Sequence, residues 1–252
     1  MKIIHMSDLH LTRDGSPIWG EYTHKKFAMA IKQIKNTQDI DVIIVSGDIS
    51  DDGSMESYEF ADNMFLQTDI PTYWCLGNHD DLELQRMHKF LKHCKLIDNI
   101  KICGWIIILL NSVAPDEELL GKNRSRGILS TQTLTRLNEK INNSDAPTIV
   151  ALHHPALEIG GWQDNKILKD REAFRKMLES SKNVRIVLSG HVHEFSDIEL
   201  NGIRYSTATG LGFAFSSKMQ NYELLRDAEG YSVITIDGND ISIDNTLLDS
   251  NK

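Results

Sequence analysis

The sequence predicts an α/β fold in which strands and helices alternate and a more antiparallel set of strands follows. Three observations carry the prediction: apolar runs of strand length recur along the chain, helical patterns fill the gaps between them, and the C-terminal part reads as hairpins. The apolar runs are Lys2 to Met6, Val42 to Val45, Thr72 to Leu76, Trp105 to Leu110, Thr148 to Leu152 and Val184 to Leu188. Runs without polar interruption suit buried strands of a mostly parallel sheet. Between them, Phe27, Ile31 and Ile34 share a helical face, as do Leu84, Met87 and Leu91, and again Leu134, Leu137 and Ile141, with Ser130 placed to cap the last. Ile198 and Leu200, Asn201-Gly202, then Ile203 and Tyr205 spell one hairpin. Tyr231, Val233 and Thr235, Asp237-Gly238, then Ile241 and Ile243 spell another. Strands over about 196–245 are expected to complete a second sheet packed on the first.

No linker, repeat or low-complexity stretch divides the chain, so one domain over residues 1–252 is expected. A hydrophobic content of 40% is ample for a substantial core. The formal charge of −9 argues against a broad basic face for a nucleic-acid polymer or an anionic membrane. The longest apolar run, Trp105 to Leu110, is too short to span a bilayer. Cys75, Cys94 and Cys103 are odd in number and form no Cys-x-x-Cys pair, which suits reduced thiols and a cytoplasmic location.

Five of the apolar runs finish in a short polar cluster rich in Asp, Asn and His. They are Ser7-Asp8-Leu9-His10, Ser46-Gly47-Asp48, Gly77-Asn78-His79-Asp80, His153-His154-Pro155 and Ser189-Gly190-His191-Val192-His193. Parallel strands end along one sheet edge, where open α/β folds place ligands, so distant clusters are expected to converge. Gly47, Gly77 and Gly190 are expected to permit tight turns out of their strands. Spacing by two in Asp8-Leu9-His10 and His191-Val192-His193 puts both side chains on one side of an extended segment.

Imidazole and carboxylate or amide oxygen without thiolate suit iron, manganese, zinc or cobalt in a catalytic site. If Asp8, His10, Asp48, Asn78, one of His153 and His154, His191 and His193 all bind, and one carboxylate bridges, two metal ions each receive four protein ligands. Two such ions about 3.5–4 Å apart activate a bridging water and clamp a phosphoryl group, so hydrolysis at phosphorus is expected. Any one of these residues alone is more often a turn former or a cap. All five clusters in order carry the reading.

In that order the motifs resemble the calcineurin-like metallophosphoesterases. The resemblance implies a four-layer αββα sandwich, two mixed β-sheets face to face with helices outside. It implies two divalent metal ions per chain, with Asp8, His10, Asp48 and His193 on the first and Asp48, Asn78, His153 and His191 on the second. It makes His79 a general acid or charge stabiliser, oriented by Asp80. His154, ahead of Pro155, is expected to shape the turn or line the pocket.

Within the family the chain is most similar to the bacterial class III 3′,5′-cyclic-AMP phosphodiesterases, through His153 to Leu157, Gly161-Trp162-Gln163-Asp164 and Gly127 to Ser130. That resemblance implies a metal-bridging hydroxide attacking a cyclic nucleotide such as cyclic AMP. The alternatives are another small phosphoester or a nucleotide pyrophosphate, and more remotely a non-catalytic scaffold. Trp162, Phe213 and Phe215 are candidates to stack on a base. Arg124 and Arg126 read as a solvated basic pair. The expected partner is a small phosphoester, and a homodimer is compatible with the sequence.

Overall fold

The computed structural model describes residues 1–83, 88–113, 125–218 and 222–249. Strands β1 (Lys2–Met6), β2 (Val42–Ser46) and β3 (Thr72–Cys75) run parallel. In a second sheet, β4 (Asn99–Ile102) pairs antiparallel with β5 (Trp105–Leu109). There β5, β6 (Thr148–Ala151), β7 (Val184–Ser189) and β9 (Ile203–Thr207) are mutually parallel, and β8 (Ser196–Leu200) lies antiparallel at the far edge. The pair β10 (Gly230–Asp237) and β11 (Asp240–Leu247) returns to the first sheet, whose order is β11-β10-β1-β2-β3.

Helices α1 (Thr23–Lys35) and α2 (Met55–Leu66) cover the first sheet, and α3 (Thr131–Asn142) and α4 (Arg171–Ser180) the second. Strand alternation builds this layering. Ile3, Val42 and Ile44 face Ile107, Ile149 and Ile186 between the sheets. Their neighbours Ile4, Ile43 and Val45 point the other way, onto Phe27 and Ile31 of α1 and Tyr58 and Phe65 of α2. Ile108, Val150 and Val187 likewise meet Leu137, Ile141, Phe174 and Leu178. The result is an αββα sandwich of two mixed sheets. Strands buried on both faces need mostly apolar side chains, each contributing about 1.5–3 kcal/mol, which is why they read as apolar runs, and the buried exception His5 in β1 is bonded to Ser46 Oγ at 2.8 Å. Ser130 caps α3 by accepting from the Thr133 amide.

Three expectations need correction. The C-terminal hairpins do not complete one sheet: β8-β9 extends the second and β10-β11 the first. Turn residues specify pairing within a hairpin, whereas the edge it joins is chosen by distant partners such as Ile3↔Ile234 and Val187↔Tyr205. The second turn is Gly238-Asn239, not Asp237-Gly238, because Asp237 pairs with Asp240. The β4-β5 hairpin was not expected from the pattern. Its signal is Cys103-Gly104, whose φ values of 47° and 79° suit the turn. Of the second helical pattern, Leu84 and Met87 lie outside the described residues, and Leu91 packs against the first core after one 3₁₀ turn at His88–Phe90. Among the described residues no helix is long and apolar enough to cross a membrane.

Candidate metal centre and cleft

The loops leaving β1, β2 and β3 meet those leaving β6 and β7 at one end of the sandwich, across the seam between the sheets. The Asp8 and His10 amides donate to the Gly47 and Asp48 carbonyls at 3.0 Å, so the first two loops continue the strand pairing. Gly190 donates to the His153 carbonyl at 2.9 Å, and Leu211 and Gly212 donate to Ser7 and Asp8 at 3.1 and 2.9 Å.

Side chains converge here by a different device from the extended spacing expected. Asp8, His10, Asp48, His191 and His193 all have left-handed backbones, with φ between 47° and 71°. Each such conformation costs of order 1–3 kcal/mol in a non-glycine residue, and strain of this kind concentrates where function requires it. The glycines also act differently. Gly47 has φ 97°, but Gly77 and Gly190 serve close approach: a Cβ on Gly190 would lie 1.7 Å from Ser7 Oγ, and one on Gly77 2.2 Å from Asp48 Oδ1.

Every named cluster contributes to one buried constellation. His153 Nδ1 donates to the Ser46 carbonyl at 2.8 Å, His193 Nδ1 to the Phe213 carbonyl at 2.8 Å, and His10 Nδ1 to Asp51 Oδ1 at 2.9 Å. These acceptors set the tautomers and leave the three Nε2 atoms facing inward. There His10 Nε2 lies 3.3 Å from His193 Nε2 and 3.7 Å from Asp48 Oδ2. His193 Nε2 is 3.4 Å from Asp8 Oδ1. His153 Nε2 is 3.3 Å from Asp48 Oδ2, 3.2 Å from Asn78 Oδ1 and 3.2 Å from His191 Nδ1.

Crowded lone pairs and carboxylate oxygens demand a cation among them, either a proton or a metal ion. Burial alone would push His153 down, but Asp48 beside it holds the imidazole at about 9, so in the metal-free chain a proton answers that demand. Burial opposes ionisation of Asp48, yet His153, His10 and His79 hold its carboxyl well below the usual range. Burial pushes His193 down to about 4 and His191 well below its ordinary value, keeping both neutral as ligation requires. The residues fit divalent ions. Asp8, His10 and His193 form one group with metal-binding spacing, and Asp8, Asp48 and His153 another.

Three expected roles meet a different geometry. Asp80 does not touch the His79 ring. Fully buried, it accepts from the amides of Ser50 at 2.9 Å, Gly77 at 2.8 Å and Ile49 at 3.3 Å and from Tyr58 Oη at 3.2 Å, so it ties the β2 and β3 loops together. The residue beside His79 is Asp51, whose Oδ1 lies 3.3 Å from His79 Nδ1. Burial lowers His79, but its hydrogen bond to Asp51 and the charge of Asp48 raise it to about 9. The Asp51 carboxylate therefore serves His10 and His79 together. No motif singles it out, three residues beyond Asp48. His79 also has metal-binding spacing with His10 and Asp48, so spacing alone does not separate it from the ligands.

His154 does not line the cleft. Its Nδ1 shares a hydrogen bond with Ser112 Oγ at 2.9 Å, and its ring lies 4.5 Å from His191, behind the centre. It could join a group with His153 and His191, but His153 is the one that reaches Asp48 and Asn78. Phe213, a candidate to stack on a base, lines the cleft but is only 3% exposed. It lies against His10 and His193, each at 4.7 Å between ring centroids, and its carbonyl orients His193. Arg124 falls outside the described residues.

A cleft of about 300 Å³ opens over the cluster, lined on its inner side by His10, Asp48, Asn78, His79, His191 and His193. Trp162 lines it as expected, its Nε1 donating to the Ser216 carbonyl at 3.3 Å. Trp19, Lys166 and Tyr222 line it too, and no motif pointed to them.

Known proteins share this arrangement of chain. The chain is 26% identical over 240 residues to a 3′,5′-cyclic-nucleotide phosphodiesterase of Nostoc sp., covering 94% of this chain and 88% of that one. It is 27% identical over 234 residues to the 3′,5′-cyclic adenosine monophosphate phosphodiesterase of Pseudomonas aeruginosa, covering 91% and 83%. Its fold aligns with a dimetal phosphatase from Danio rerio at a TM-score of 0.76 and 13% identity, over 97% of this chain and 95% of that one. It also aligns with a purple acid phosphatase from yellow lupin at 0.66 and 13%, over 100% and 52%. Those two likenesses are of fold. The family model described as calcineurin-like phosphoesterase matches residues 1–195, the span that runs through His193, and the chain belongs to that family of hydrolases.

Proposed function

We propose that this chain is a binuclear phosphodiesterase that hydrolyses 3′,5′-cyclic nucleotides, cyclic AMP in particular. The observation that supports it most is the inward convergence of three imidazole Nε2 atoms on Asp8 and Asp48, each ring held from behind by an oxygen acceptor. Asp8, His10, Asp48 and His193 would hold one divalent ion, and Asp48, Asn78, His153 and His191 the other. Asp48 Oδ2 lies between His10 Nε2 and His153 Nε2, as a shared carboxylate must. Such ions supply Lewis acidity toward phosphoryl oxygens and an activated water for in-line attack.

The chain's own residues complete the chemistry. His79, on the cleft wall with its side chain 42% exposed, carries a proton that Asp51 stabilises and can deliver it to the departing ribose oxygen. The Phe213 carbonyl, accepting from His193 Nδ1, fixes the orientation of that imidazole. The names of the Nostoc and Pseudomonas relatives favour cyclic nucleotides among phosphodiesters. The test is a panel with manganese: cyclic AMP, cyclic GMP, a 2′,3′-cyclic nucleotide, an aryl diester and an aryl monoester. Cyclic AMP should give the highest kcat/KM. A preference for the monoester would refute the reading.

A further inference from the structure

Among the described residues, the two most exposed large apolar side chains are Trp19 at 58% and Tyr222 at 54%, and both line the cleft. Trp19 is also an unexpected residue for its backbone. Ile18 and Glu21 exchange hydrogen bonds of 3.0 and 2.8 Å, closing a two-residue turn in which Trp19 has φ 50° and Gly20 φ 87°. Turns with two positive φ values select Asn, Asp or Gly at the first position, and an indole there is strained. Local structure gives no reason for a tryptophan, and more than half of its surface is left unpacked.

Its surroundings do. The indole sits 5.1 Å from the Phe213 ring, which itself lies 4.7 Å from His10, so Trp19 stands one ring beyond the constellation. Phe215 is 5.6 Å away and Tyr222 5.9 Å, and Lys166 Nζ lies over Tyr222 at 4.3 Å. Gln163, 2% exposed, lines the same cleft with an amide Nε2 that has no hydrogen-bond partner among the described residues. A buried donor left unpaired is costly, which points to an acceptor supplied by a ligand.

We propose that the exposed face of Trp19 is the platform on which the substrate's nucleobase stacks, with Gln163 and Lys166 as polar contacts at its edge. The proposal rests on the phosphodiesterase reading and adds which part of the substrate the outer cleft holds. A flat π-system laid on an exposed indole excludes water from the two facing surfaces, and every base offers one. The phosphate remains over the Asp/His constellation.

The test compares binding of 5′-AMP and ribose 5-phosphate to the manganese-loaded protein by calorimetry, in wild type, Trp19→Ala and Trp19→Phe. Wild type should prefer 5′-AMP by about 5- to 150-fold, the contribution of one stacked base. Trp19→Ala should lose that preference while binding ribose 5-phosphate as before, Trp19→Phe should keep most of it, and KM for cyclic AMP should rise in Trp19→Ala. A Trp19→Ala protein that retains the full preference, or weakens both ligands equally, overturns the proposal even if cyclic AMP is hydrolysed. A wild type that shows no preference overturns it too. A wild type that prefers 5′-AMP through Trp19 yet leaves cyclic AMP intact refutes the assigned reaction and upholds the subsite.

Discussion

Replacing Asp51 with asparagine tests the carboxylate set between His10, a proposed metal ligand, and His79, the proposed proton donor. One carboxylate oxygen receives His10 Nδ1 at 2.9 Å and lies 3.3 Å from His79 Nδ1. The substituted amide would retain a carbonyl acceptor but no charge. For His10, a partner behind a metal-ligating imidazole typically contributes about 10- to 100-fold in metal affinity or activity. For His79 the sign is definite. Its pKa, raised to about 9 mainly by the Asp51 hydrogen bond and by Asp48 against the pull of burial, keeps the ring protonated below that value. A rate that needs protonated His79 is therefore present at lower pH and lost as pH rises through the folded-state pKa. Two divalent ions, if bound, would lower the same pKa, so the displacement between wild type and variant is the quantity to read. Asp51→Asn should move the alkaline limb of kcat/KM for cyclic AMP toward lower pH. At pH 7 activity should fall about 10- to 100-fold, with part recovered at high manganese. Steady-state rates from pH 6 to 10 at saturating manganese are the assay. An unmoved alkaline limb would refute the role of Asp51 in holding the His79 proton.

Other outcomes follow from the same geometry. His79→Ala should keep its metals and lose about 10²–10⁴-fold on cyclic AMP but far less on bis(nitrophenyl) phosphate, whose leaving group needs no proton; equal losses with metals retained would make His79 a charge stabiliser instead. Asp48→Ala should depress elemental metal content at both sites, since Asp48 Oδ2 faces His10 and His153 together, and normal metal content would remove it as the shared ligand. In Gly190→Ala the added Cβ meets Ser7 Oγ at 1.7 Å and Asp8 Oδ2 at 2.7 Å, so thermal unfolding should show a loss of about 1–3 kcal/mol and metal content should fall. An unchanged melting temperature would mean that the two loops separate at little cost. Stability should also rise on adding manganese to the wild type, because ions bind only where the folded loops gather the ligands.

Much of this protein was legible before any coordinates. Strands buried on both faces are largely apolar, so β1, β2, β3, β6 and β7 stood out as apolar runs, each followed by the polar residues that its end presents. Parallel strand ends share an edge, so order alone could bring together Asp8, Asp48 and Asn78 in one sheet and His153 and His191 in the other, whereas the meeting of the two groups depends on how the sheets pack. The motifs could not reveal residues whose roles arise from contact between distant segments. Asp51 is an ordinary loop carboxylate until its loop places it between His10 and His79. Asp80 looks like a partner of its neighbour until its carboxylate is seen to hold the amides of Ser50 and Gly77.

Phe213 and Trp19 divide in the same way. Both are aromatics in loops, and composition does not distinguish a nearly buried ring packed on His10 and His193 from one displayed to solvent over the cleft. Sequence alone determined the strand runs, the helical faces of α1 and α3, the Asn201-Gly202 turn and the identity of the polar side chains gathered at the strand ends, because each depends on local periodicity and residue chemistry. Tertiary structure alone decided which sheet each hairpin joins, which carboxylate stands behind His79 and which aromatic faces solvent, because those outcomes depend on packing between residues far apart in the chain.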